Sequence, residues 1–142
     1  MHLLQIEDNT GDVVLVREAL KTVETKVDHN VVEDGQAALD FLERCAPYTL
    51  TPCPDVILLD LNLPQKTGYE LLQELKQHPR FKGIPIVVFT STADPHKVHC
   101  CYALGANAFM VKPMMLQEYV AVVRTFVKFW KTCQVPPLFP ST

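Results

Sequence analysis

The chain has 142 residues, 48% of them apolar and 20% charged, with a formal net charge of -3. That length holds one domain with a substantial core and leaves no room for a second of ordinary size. No apolar run approaches membrane-spanning length, the amino terminus lacks the basic segment and cleavage site of a signal peptide, and the charge gives no reason to seek nucleic acid; a cytoplasmic protein with neither membrane nor nucleic-acid partner is expected.

His2-Leu3-Leu4-Gln5-Ile6 reads as a first strand that empties into Glu7, Asp8 and Asn9. Adjacent acids at a buried strand end raise each other's pKa unless a cation neutralises them; the plainer alternative is that Asp8 or Asn9 caps the next helix. Val13, Val16, Leu20 and Val23 recur at helical spacing. Residues 27–32 alternate apolar with polar, as an edge strand does, and Glu33 and Asp34 stand at its end with Asp34-Gly35 as the turn. Ala37, Ala38, Phe41 and Leu42 mark a short second helix, and the segment Cys45 to Pro54, with its three prolines, is a connector.

Val56-Ile57-Leu58-Leu59 is an unbroken apolar, partly β-branched run of the kind buried on both faces of a parallel sheet, and Asp60 stands where it meets the surface. Asn62 and Pro64 open a loop, and Gly68 turns the chain into a third helix carrying Tyr69, Leu71, Leu72 and Leu75 and ending near Pro79. Residues 84–89 form another buried strand, with Pro85 at its entrance and Thr90 at its exit. Asp94-Pro95 begins the fourth helix and serves as its cap, which leaves Thr90 free to face the rim; Gly105 stops that helix. Residues 108–111 make a last strand before Lys112-Pro113. Five strands, each followed by a helix, specify an α/β fold whose parallel sheet is covered on both faces.

The five cysteines are odd in number and contain no C-x-x-C pair, so reduced thiols that mostly pack are expected. Cys100 and Cys101, adjacent on a helix, point in different directions.

Ligands of open parallel sheets bind at the carboxyl ends of the strands, and here those ends carry acids, a hydroxyl and an amine. A nucleotide or flavin site would want a glycine- or hydroxyl-rich phosphate loop after the first strand; Glu7-Asp8 would repel a phosphate and attract a divalent cation, for which Mg2+ suits the oxygen donors. With charge on the phosphoryl oxygens neutralised by cation and lysine, the Asp60 carboxylate can attack phosphorus. A lone aspartate after a strand is otherwise a turn or cap residue.

Ile6-Glu7-Asp8-Asn9, Asp34-Gly35, Leu59-Asp60-Leu61-Asn62-Leu63-Pro64 with Gly68, Pro85 to Thr90, Gly105-Ala106 and Lys112-Pro113, in this order and spacing, resemble a two-component response-regulator receiver domain over nearly the whole chain. The resemblance implies a flavodoxin-like (βα)5 doubly wound sheet of five parallel strands in the order 2-1-3-4-5. It implies that Asp60 accepts a phosphoryl group from a sensor histidine kinase, as a self-phosphorylating acceptor and not as a turnover enzyme. Mg2+ would be held by Asp8 directly, by Glu7 largely through water, by Asp60 and by the backbone carbonyl of Asn62. Thr90 and Lys112 would each hold a phosphoryl oxygen. Movement of Thr90 toward Asp60 would vacate space for Phe109 and alter the face made by the fourth helix, fifth strand and fifth helix; Phe109 as plain core is the alternative.

The last helix, from about Leu116 to Lys131, carries Val120, Val123, Val127 and Trp130 as a core stripe and Tyr119, Val122, Phe126, Phe129 and Cys133 as a second, aromatic-rich stripe. An exposed second stripe would mark an interface, here a homodimer; a wider buried face covered by the chain's own tail is the alternative. Residues 135–140, proline-rich and apolar, are expected across a groove of this chain or a partner. Phe129-Trp130 followed by that tail resembles the single-domain receivers that pair with bacterial phytochrome kinases. The division expected is a receiver over 1–132 and an extension over 133–142, with output through protein contacts because no residues remain for a DNA-binding effector. Two rivals stand beside this: a haloacid-dehalogenase-type aspartyl phosphohydrolase, disfavoured because the amide of Asn62 cannot act as general acid, and an interaction module without phosphorylation, disfavoured by the intact set Glu7, Asp8, Asp60, Thr90 and Lys112.

Overall fold

A computed structural model describes residues 1–45 and 52–136. Strands His2–Ile6 (β1), Asp28–Val32 (β2), Val56–Leu59 (β3), Ile86–Thr90 (β4) and Ala108–Val111 (β5) alternate with helices Thr10–Leu20 (α1), Gly35–Glu43 (α2), Gly68–Gln77 (α3), Pro95–Ala103 (α4) and Leu116–Thr132 (α5). All strand pairs are parallel, in the order β2-β1-β3-β4-β5, which is the expected flavodoxin-like topology. Every residue of β3 and β4 is buried, because helices cover both faces and leave no wet side. On one face Leu4, Ile6, Ile57 and Leu59 pack against Leu71, Leu72 and Leu75; on the other, Leu3, Val56, Leu58 and Phe89 pack against Val16, Ala19, Tyr119, Val123, Phe126 and Val127.

The helix starts follow from local chemistry. Asn9 caps α1 by accepting from Asp12 N at 3.0 Å, and Thr67 with Glu70 forms a reciprocal capping box on α3. Asp94 accepts from His96 N at 2.9 Å, with Pro95 in the first turn, as the sequence indicates. Asp34 accepts from Ala37 N at 2.7 Å and caps α2, so this strand-end acid serves a helix and stays out of the acid cluster at the rim.

Two expectations are corrected. Cys45 and Cys53 are joined in a disulfide and are not reduced packing thiols: the connector returns its ends to a Cα–Cα distance of 4.9 Å, within bridging range. Spacing alone hides this, because the approach is made by the fold; residues 46–51 of the connector lie outside the described residues. Cys101 is buried and Cys100 half-buried, which keeps them on different sides of α4. The second correction concerns α5. Tyr119 and Phe126 are 2% and 3% exposed and join Val123 and Val127 in the core, so the second stripe is not exposed as a whole. The aromatic that remains outside is Phe129, 57% exposed and edge-on to the half-buried Trp130 at 5.2 Å, while Val122 is half-buried. The tail beyond Pro136, expected across a groove, lies outside the described residues.

Gly68 is the most closely packed of the glycines among the described residues. A Cβ there would stand 2.5 Å from the carbonyl oxygen of Asp60 and 2.5 Å from Leu61 Cα, and Gly68 N donates to Leu61 O at 3.0 Å. Helix α3 therefore rests directly on the backbone that presents Asp60. Gly68→Ala is expected to cost about 1–3 kcal/mol in denaturant unfolding, the usual penalty for forced overpacking.

Candidate functional site

Strands β1 and β3 are neighbours with Ile6 level with Leu59, so the next residue of each strand, Glu7 and Asp60, emerges side by side where the sheet order reverses. Asp60 N donates to Ile6 O at 3.0 Å, which continues the ladder to the aspartate itself. On the other side Thr90 pairs with Val111, and Lys112 N donates to Thr90 O at 2.7 Å, which sends the lysine toward the same rim. Single carboxylate oxygens of Glu7, Asp8 and Asp60 lie within 4.8 Å of one another. A cavity of about 700 Å³ opens over them, lined by Asp8, Asp12, Asp60, Asn62, Ser91, Thr92 and Lys112, with Met114, Met115 and Leu116 at its edge.

Of the residues singled out in the sequence, Glu7, Asp8, Asp60, Asn62 and Lys112 meet here. Thr90 is buried at the end of β4 and the exposed Ser91 and Thr92 line the opening in its place. Phe109 sits half-buried in β5 against the core on the α3 and α4 side. Glu33 is exposed and outside the group. Asp12 is a site residue that sequence reasoning misses: its place in the first turn of the helix that follows Glu7-Asp8 is the available signal.

Lys112 Nζ donates to Glu7 Oε1 at 2.6 Å, to Asp12 Oδ2 at 3.0 Å and to Asp60 Oδ2 at 3.4 Å. Burial, followed by the hydrogen bond and charge of Asp60, pushes the Glu7 carboxyl from its ordinary 4.5 up to about 8 against the opposing pull of Lys112. Burial works against the Lys112 ammonium as well, but its hydrogen bond to Glu7 and the charges of Asp60 and Glu7 outweigh it and hold the lysine above its usual value. Burial and the neighbouring Asp60 together favour the protonated form of Glu7, which the Lys112 ammonium opposes. The hydroxyl of Tyr119, pushed upward by burial and by its hydrogen bond to Asp12, is neutral.

This donor set fits a divalent cation. It consists of hard carboxylate oxygens converging on one point, two of them from the buried Glu7 and Asp60. A nucleophilic carboxylate, a neighbouring cation site and a fixed ammonium together suit transfer of an anionic group onto Asp60.

Fold and site define a doubly wound α/β domain with an acid cluster and a lysine at the carboxyl ends of its strands. The response regulator receiver domain model matches residues 3–124, and the chain belongs to that family. It is 40% identical over 130 residues to the response regulator Rcp1 of Synechocystis, covering 90% of this chain and 87% of that one. The Mn2+-bound form of Rcp1 superposes with a TM-score of 0.85 at 38% identity, over 96% of this chain and 99% of that one. The phosphorylated cyanobacterial phytochrome response regulator RcpA superposes with a TM-score of 0.87 at 33% identity, over 96% and 98% of the two chains. Receiver domains accept phosphoryl groups and bind Mg2+ at an acidic pocket.

Because the Glu7 pKa is raised, its contribution to stability is full below about 4.5 and is lost as pH rises through about 8. The metal-free protein should therefore lose stability between those pH values, and Glu7→Gln should flatten that slope in urea titrations from pH 5 to about 8.5. Calorimetry near neutral pH in buffers of differing ionisation enthalpy should detect proton release as Mg2+ binds the parent, and little in Glu7→Gln.

Proposed function

We propose that this chain is a single-domain response regulator in which Asp60 accepts a phosphoryl group from a sensor histidine kinase. An Asp60 oxygen attacks phosphorus, the O–P bond forms as the N–P bond of the phosphohistidine breaks, and the imidazole leaves with a proton. The observation that carries the reading is the convergence of Glu7, Asp8 and Asp60 on one point with Lys112 Nζ 3.4 Å from Asp60 Oδ2.

In this reading Asp8, Asp60 and the backbone carbonyl of Asn62 hold Mg2+, with Glu7 acting through water. When bound, the cation supplies neutralising charge for the phosphoryl oxygens. Lys112 pairs with one of those oxygens and Thr90 with another, and Gly68 keeps Asp60 in place from behind. Thr90 and Phe109 form the switch, since β4 and β5 are adjacent and Val88 stands level with Phe109. The acceptor turns over no substrate beyond the loss of its own phosphoryl group.

Phytochrome pairing is supported by the 33% identity to RcpA, described as a cyanobacterial phytochrome response regulator. The receiver spans 1–132, since α5 runs to Thr132, and 133–142 is an extension. Output passes through the face of α4, β5 and α5 by protein contacts in the cytoplasm, without nucleic acid or membrane. A homodimer through α5 uses Phe129, Trp130 and Val122, with Tyr119 and Phe126 supporting that face from the core. Two apolar hollows support this: one of about 390 Å³ bordered by Met110, Phe129 and Trp130, and one of about 370 Å³ bordered by Met110, Val111 and Val122.

Incubation with acetyl phosphate and Mg2+ should add the mass of one phosphoryl group, absent in Asp60→Asn; no gain in the parent would refute the acceptor role. Sedimentation should find the parent dimeric and Phe129→Asp monomeric, whereas a monomeric parent would end the dimer reading.

A further inference from the structure

The hydrogen bonds around Lys112 extend past the acids suited to hold a cation. Asp12 lies between two donors that are distant in the chain. Its Oδ2 accepts from Lys112 Nζ at 3.0 Å and its Oδ1 accepts from the Tyr119 hydroxyl at 2.9 Å. The simpler explanation of Asp12 is favourable charge in the first turn of α1. That role needs no side-chain partner, yet both carboxylate oxygens are engaged and the side chain is only 18% exposed. Tyr119, 2% exposed and edge-on to Phe89 at 5.3 Å, cannot follow a wandering carboxylate, so its hydroxyl fixes Asp12.

The chemistry demands a carboxylate. Both neighbours are donors, and an asparagine would offer one acceptor oxygen where two are needed. Lysine is a compact charge on a flexible stem, and Glu7 and Asp60 both compete for it. Resting on the acceptor role of Asp60, we propose that Asp12, clamped by Tyr119, is a positioning residue that holds the Lys112 ammonium beside Asp60, placed to receive a phosphoryl oxygen, and that the same clamp carries the transfer event to α5. When the ammonium turns to the phosphoryl group, Asp12 loses a donor and the Tyr119 hydroxyl bond readjusts. Tyr119 belongs to α5, so the signal reaches that helix by a route separate from Thr90 and Phe109.

The test uses the full chain with acetyl phosphate and Mg2+, followed by mass. Asp12→Asn should phosphorylate about tenfold more slowly, in line with the loss of an orienting partner of a site residue. Tyr119→Phe, which keeps the ring against Phe89 and removes only the hydroxyl, should slow in the same direction by less and serves if Asp12→Asn folds poorly. Mg2+ binding by calorimetry should be unchanged in both, and Asp12→Asn should add nothing to the loss in Lys112→Met. In tyrosine-labelled protein the resonance assigned to Tyr119 should move on phosphorylation. Unchanged phosphorylation rates, weakened Mg2+ binding, additive loss in the Lys112→Met background, or a Tyr119 resonance that stays put would each overturn the proposal. A parent that gains no phosphoryl group overturns the acceptor role itself, which separates the two failures.

Discussion

The crowding of negative charge at the ends of two adjacent parallel strands governs this molecule. At 4 Å, two like charges in an effective dielectric of about 20 oppose each other by about 4 kcal/mol, a sizeable share of the stability of a small domain. Glu7 and Asp60 cannot relax apart, because each continues a strand of the same ladder. The molecule offsets the repulsion with the Lys112 ammonium, with a raised Glu7 pKa that favours its neutral form, and with carboxylate oxygens grouped as a divalent cation requires. An arrangement so costly when left unfilled is suited to take up a cation and to change when its charge changes.

The two faces of the sheet play different parts in that arrangement. On the α2, α3 and α4 side the core is largely aliphatic around the buried Phe81, and α3 presses Gly68 onto the Asp60–Leu61 backbone, which fixes the position of Asp60. On the α1 and α5 side the core is joined to the site by polar contacts: α1 contributes Asp12, α5 contributes Tyr119, and Lys112 stands between them and Asp60. Helix α5 is therefore anchored by its inner face to the charge balance of the pocket, while its outer face offers Phe129 to solvent. Strand β5, four residues long and at the sheet edge, leaves apolar hollows beside that helix. An edge of this kind is usually kept short or covered.

Much of this was legible in the chain. The unbroken apolar run before Asp60 is a property of local composition, and so are the acids after Ile6, the cap at Asp94 and the alternation of strand and helix; together they imply the parallel sheet and the site at its carboxyl ends. Periodicity did not reveal how wide a face α5 would bury. Its two stripes sit side by side at one spacing, and whether Tyr119 and Phe126 turn inward depends on how closely α1 and the sheet approach. Nor could strand-end position tell Asp34, spent on capping α2, from Asp12, which reaches the pocket from a helix. The Cys45–Cys53 bond likewise depends on where the connector brings its two ends.

Sequence by itself determined the elements, their order and the identity of the acids, because secondary structure and capping are decided by neighbours within a few residues. Only the tertiary structure decided which polar groups share a partner. The bonds joining Lys112 to Glu7, Asp12 and Asp60, and Asp12 to Tyr119, span 52 to 107 residues of chain. Such contacts exist only after five strands have aligned, since hydrogen bonds and ion pairs act over a few ångströms and carry no trace in local spacing.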